Sequence, residues 1–267
     1  VRIRPGRRSA LPISLLLVLL VAVGCGQPDT DAPGAAPATT NPSTTAPSDS
    51  PAPTPDRPGG PTPTVPAFDH QPLWPFPDLD AVRAWQEAHR TGGQQPWHLD
   101  AEATALGFTQ GYLGFTGIDR VTSYTENGAD AWVGVGFALP NGRETTASVL
   151  HLARFGDGLD APWEVVGTRD ETLVVDTPAY GSPVTSPVTA GGTITGVDES
   201  LRLQLRTLGR DTPVGEFCCV PAGGQSARWS ATVPFTDAGA GPMTLVVSTG
   251  GHVADVEEFA ITAVRAG

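Results

Sequence analysis

Ala131-Trp132-Val133-Gly134-Val135-Gly136-Phe137-Ala138-Leu139, followed at once by Pro140-Asn141-Gly142, decides how the folded part of this chain reads. The odd positions carry Ala, Val, Val, Phe and Leu, the period of two that belongs to a half-buried strand. Pro-Asn-Gly is hairpin-turn chemistry, and residues 145–154 supply the return strand. Towards the C-terminus, Trp163-Glu164-Val165-Val166-Gly167 and Thr172-Leu173-Val174-Val175 add a third strand and a fourth. Towards the N-terminus the period lengthens. Asp78 is the natural N-cap of a helix through Leu79, Val82, Ala84, Trp85 and Ala88, ended by Gly92-Gly93. A second helix is expected from Asp100, with Ala103, Leu106, Phe108 and Leu113 along one side. Helices first and then a meander predict an α+β domain over 68–177, its helices packed on a curved antiparallel sheet.

The run 103–113, followed by strands ending Pro162-Trp163-Glu164-Val165-Val166-Gly167, resembles the nuclear-transport-factor-2-like fold. That resemblance implies a concave sheet face with a pocket, in which Tyr112, Asp119 and His151 are the polar groups to inspect.

Beyond the turn-rich seam at 176–183, short strands recur with turns between them, as a sandwich requires. Leu201, Leu203 and Leu205 alternate on one strand, residues 227–235 form another around Trp229, and Met243, Leu245 and Val247 a third. Phe259, Ile261 and Val264 mark the last. The stretch Tyr180-Gly181-Ser182-Pro183-Val184-Thr185-Ser186-Pro187-Val188-Thr189-Ala190-Gly191-Gly192-Thr193 resembles the opening of the bacterial spore germination immunoglobulin-like domain. The resemblance covers about 85 residues. It implies an all-β immunoglobulin-like sandwich over 178–267, used for adhesion or scaffolding rather than catalysis.

Residues 1–24 hold Arg2, Arg4, Arg7 and Arg8 and no acid, then an apolar run over 11–23. That run is shorter than the roughly 20 residues a spanning helix needs, and fits the apolar region of a signal peptide. It ends Val21-Ala22-Val23-Gly24-Cys25, which resembles a bacterial lipoprotein lipobox with Ala22 where leucine is commonest. The resemblance implies cleavage before Cys25 and lipidation of its thiol and amine. Several acyl chains together give stable membrane attachment. Residues 25–67 follow as the lipidated cysteine and a disordered Pro/Thr-rich linker, with 12 prolines, eight threonines and no aromatic over 26–66.

The chain has 28 acidic side chains against 16 arginines, with no lysine and a formal net charge of −12. Without residues 1–24 it stands at −16. That balance argues against nucleic acid as a partner, because phosphate binding needs basic surface. The missing lysine removes Schiff-base and serine–lysine chemistry outright. No Gly-x-Ser-x-Gly elbow is present. His70, His89, His98, His151 and His252 are scattered, with no metal-type spacing, so no metal and no cofactor is expected. The acids at 255–258 lack the alternating oxygen ligands of a calcium loop.

Cys218 and Cys219 are adjacent, and three states stay open for them: a vicinal disulfide, two free thiols, or a link to another molecule. Trp74 and Trp97 lie in proline-bearing loops, where indoles either cap a small core or stack on sugar and peptide rings.

The expected protein is a cell-envelope lipoprotein on the outer face of the cytoplasmic membrane. It is read as a noncatalytic binding or scaffolding module, with the membrane and an envelope protein or cell-wall glycan as partners. Two alternatives remain: a ligand-binding protein or enzyme using a concave pocket in the α+β part, and a sporulation- or germination-associated envelope protein.

Overall fold

The computed structural model describes residues 68–169 and 172–267. The signal segment, Cys25 and the Pro/Thr tract lie outside the described residues.

Helix α1 (Leu79–Gly92) starts where expected, because the Asp78 carboxylate accepts the Ala81 N–H at 2.9 Å. It ends where Gly93 turns left-handed at φ 65° and its N–H returns to the His89 carbonyl. Its buried face matches the expected one at Val82 and Trp85 and differs at Leu79 and Gln86. Val82, Trp85 and Gln86 are buried while Leu79 is exposed. Gln86 goes inside because its amide donates to the Asp157 carbonyl at 2.8 Å and the Asp160 carbonyl at 3.1 Å.

Asp100 caps α2 (Ala101–Leu106) by accepting from the Glu102 and Ala103 N–H groups. The helix continues as a π-helical turn, Gly107–Tyr112. Ala101, Thr104, Ala105, Phe108, Thr109 and Tyr112 are its buried side, in place of the expected Ala103 and Leu106. Two of those six are threonines, and Thr109 satisfies its hydroxyl on the Ala105 carbonyl at 2.8 Å. Gly107 admits Trp74, since a Cβ there would lie 3.0 Å from the indole.

Four antiparallel strands form the first sheet in the order β1 (Arg120–Asn127), β2 (Asp130–Ala138), β3 (Glu144–Arg154) and β4 (Trp163–Thr168). β2 contains the opening stretch, and Ala131, Val133, Val135 and Phe137 all face the core. The glycines between them permit close strand approach: a Cβ on Gly136 would lie 1.8 Å from the Thr145 carbonyl oxygen. β1 carries no alternation and is mostly exposed, as suits an edge strand.

The second sheet follows the order β5–β7–β9–β10–β6, with β8 pairing β7. Its strands are β5 (Leu173–Thr177), β6 (Ser182–Val184), β7 (Val188–Thr207), β8 (Gly215–Val233), β9 (Pro242–Thr249) and β10 (Glu258–Ala266). β5 was expected to extend the first meander, but Leu173, Val174, Val175 and Thr177 pair with β7 instead. β7 and β8 form one long hairpin with three register shifts, which lets them bend. Ala190, Ile194 and Trp229 on one half share a core with Leu201, Leu203 and Leu205 on the other and with Leu245 of β9. The described residues are thus mostly β, with few helices and two sheets, an arrangement consistent with a β sandwich.

One feature joins the two sheets. On β10, Phe259, Ile261 and Ala263 face the core of the first sheet, while Ala260 and Val264 face the core of the second. On β9, Val246 turns to the first core, and Met243, Leu245 and Val247 turn to the second. Burial on both faces is why these strands read as nearly continuous apolar runs. The contact is clasped by Thr168, whose hydroxyl donates to the Ile261 carbonyl at 3.2 Å and accepts the Ile261 N–H at 3.0 Å.

Candidate functional site

The three pocket residues named from sequence do not converge. Tyr112 closes the π-helical turn and is buried, with its hydroxyl 3.5 Å from Thr244 Oγ1 and the Arg206 guanidinium 5.4 Å over its ring. Burial pushes its phenol above the ordinary tyrosine value. Asp119 lies at the surface, 3.5 Å from Arg120 Nε. His151 alternates with Leu150 and Leu152 on β3, both of which are in the core with Tyr112. Its imidazole therefore points to the opposite face of the sheet. The face expected to be a concave pocket is filled by Phe108 and Tyr112 from one side and Phe259 and Ile261 from the other.

On that opposite face a different group assembles. Asp130 opens β2 after the two-residue turn Gly128-Ala129, with Gly128 at φ 66°. Trp132, two residues on, is the register partner of His151, so Asp130 and His151 are diagonal neighbours on one face. His151 Nε2 lies 2.7 Å from Asp130 Oδ1. His70 arrives from the N-terminal segment and aims its Nε2 at the same oxygen from 3.6 Å.

Each ring is held by neighbours. Trp132 stacks flat on His151 at 5.1 Å, and Arg169 lies over the Trp132 ring. Phe68 meets His70 edge-on and packs at a tilt on Phe155, with ring centroids 4.3 Å apart. Next to His70, Gln71 is clamped by Tyr180: the Gln71 N–H donates to the phenol oxygen at 2.9 Å, and the phenol donates to the Gln71 carbonyl at 3.2 Å. Burial, and then the neighbouring His151, hold the His70 imidazole below its ordinary value, so its neutral form is favoured.

A cleft of about 680 Å³ opens beside this group, lined by His70 and Asp130 and by Asp69, Glu126, Asp157 and Arg154. A second cleft, of about 630 Å³, lies between Trp74, Pro75, Pro77 and Tyr112 on one side and Arg210 and Asp211 on the other. Trp74 stacks on Trp97 at its edge, with ring centroids 5.5 Å apart. Trp74 thereby both packs the protein and presents an indole to the cleft.

His98 is unlike the other histidines. Burial takes its imidazole down to about 4, and Nε2 lies 3.3 Å from Gln95 Oε1. It is a neutral core side chain. Glu257 turns its carboxylate onto the N–H groups of His252, Val253 and Ala254, so that acid organises a loop. Cys218 and Cys219 are joined in a disulfide on β8, where both are exposed. No family model matches this chain, and no curated protein or solved structure matches it at a significant level.

His70, Asp130 and His151 escaped sequence reasoning as a group because three separate segments supply them. The one signal available was local: with a two-residue turn after Asn127, the alternation of β2 puts Asp130 and Trp132 on the face away from the core.

Proposed function

We propose that this chain is a cell-envelope lipoprotein, lipidated at Cys25 and displayed from the outer face of the cytoplasmic membrane. Its folded part acts as a noncatalytic binding or scaffolding module, ending in an immunoglobulin-like sandwich of the spore germination type. The observation that carries this reading is the β9–β10 pair, which buries both of its faces and makes one head of the two sheets. A head whose two sheets share the β9–β10 pair keeps its binding surfaces in fixed register at the end of a tether. The immunoglobulin-like assignment is supported by β5 and β6. They are consecutive in the chain yet end the strand order on opposite sides, as when a strand switches layers in a sandwich.

The partner face of this reading is the Trp74 cleft. An indole beside the oppositely charged Arg210 and Asp211 suits a cell-wall glycan or an extended segment of an envelope protein. The chain incubated with envelope protein fractions and with purified peptidoglycan should bind one of them saturably. Arg210→Glu, on the exposed rim, should weaken that binding by roughly tenfold or more. A blank across both fractions contradicts the proposal.

The second reading, a small-ligand-binding protein, is favoured by the acidic cleft beside His70 and Asp130 rather than by the filled concave face.

A further inference from the structure

We infer that His70, Asp130 and His151 form a binding site for a divalent first-row transition metal of the zinc class. The inference stands apart from membrane anchoring and from the Trp74 cleft, since its groups are two side chains of the first sheet and one from the segment crossing its outer face.

Donor chemistry comes first. Two imidazole nitrogens and one carboxylate oxygen are the mixed set that zinc and its neighbours take, with one coordination position left for solvent or a donor from a ligand. The three donor atoms lie within 4.8 Å of one another. Zinc bonded at about 2.0–2.1 Å in tetrahedral geometry holds its ligand atoms about 3.3 Å apart. The observed separations from Asp130 Oδ1, 2.7 Å to His151 and 3.6 Å to His70, bracket that value. A histidine–aspartate hydrogen bond accounts for the first distance. It does not account for the second imidazole, whose Nε2 faces the same oxygen from beyond hydrogen-bond length.

The donor side chains are also held rigidly. Asp130 and His151 stand on paired strands, and Trp132 flat against His151 restricts rotation of that ring. Phe68 on Phe155 and Gln71 on Tyr180 pin the segment that brings His70. A site held this way loses little freedom when the ion binds.

The group is reachable from solvent and sits among acids. His70 and Asp130 open onto the cleft of about 680 Å³, whose other walls include Asp69, Glu126 and Asp157 against Arg154. Such an acidic funnel concentrates divalent cations at its floor.

Titration of Zn²⁺ into the metal-free full-length chain, followed by calorimetry, should show one saturable site. His70→Gln, Asp130→Asn and His151→Gln should each weaken it by at least about 100-fold, the upper end of what loss of a mere supporting partner costs. His89→Gln, at a histidine outside the group, should leave it unchanged. Ni²⁺ should quench the share of tryptophan emission that Trp132→Phe removes. That second readout alters no ligand and serves even where a ligand variant fails to fold. The assignment is overturned by an absence of saturable binding, by affinity left unchanged in any one of the three ligand variants, or by quenching that is the same with and without Trp132.

Discussion

Replacing Phe259 with alanine is expected to remove about 3–5 kcal/mol of stability, the range for deleting a fully buried phenylalanine. Its ring is completely buried and meets Phe115 at 5.4 Å, within the core that the first sheet shares with Val246 and Ile261. The cavity would open where β10 rests on the first sheet. Because Ala260 and Val264 of the same strand belong to the other core, both halves should feel the loss together. Denaturant unfolding of the variant should therefore remain one transition, shifted to lower denaturant. Leu159→Ala, at a fully exposed loop position, should stay within about 0.5 kcal/mol of the parent. A loss below about 1 kcal/mol, or the first sheet unfolding separately while the second persists, would show that the shared core does not couple them.

Glu164 should give this protein an unusual dependence on pH. Its carboxyl is fully buried on β4; Oε2 accepts the Phe76 N–H at 3.1 Å, and Oε1 has no hydrogen-bond partner among the described residues. Burial pushes it well above the usual carboxylate range, and the N–H groups of Phe76, Trp74 and Leu73 pull against that only in part. A carboxyl whose folded value is raised holds its proton longer when folded than when unfolded. Its contribution to stability is complete below the unfolded value of about 4.3 and is lost as pH rises through the folded value. Glu164→Gln keeps the shape and cannot ionise. The variant's stability minus the parent's should therefore be flat in acid and climb above about pH 4.3, by up to ~1.4 kcal/mol per pH unit. Paired urea titrations at pH 4 and 7.5 read this difference directly. A difference that is the same at both pH values means that Glu164 ionises inside the fold at little cost.

Much of the fold was legible from residue order. The Asp78 and Asp100 caps, the hairpin at 140–142 and the alternation of β2 each depend on a neighbour within a few positions, and each is where the residues suggest. What sequence order hid was long-range partnership. β5 has the same composition whether it joins the first meander or pairs with Gly191–Ile194, and only the second sheet decides. β10 was read as a strand from Phe259, Ile261 and Val264 with no face assigned to them, and Val264 points away from the other two. Strands buried on both sides lose the alternation that would assign their faces. The candidate site was hidden for the same reason. His151 was singled out, yet its partners His70 and Asp130 come from a crossing segment and a turn. Tyr112 was read as a pocket residue because the resemblance implied a concave pocket, but packing against Thr244 and Arg206 consumes it.

The absence of lysine turns the proposed anchor into a chemical test. A chain cleaved before Cys25 has no lysine amine, and full lipidation acylates its one α-amino group. Amine-reactive labelling of the protein isolated from its own membranes measures this directly. The account predicts no incorporation in the intact protein, with an N-terminal peptide heavier by its acyl chains. One label per chain, on a Cys25 of unmodified mass or on an upstream residue, would contradict it.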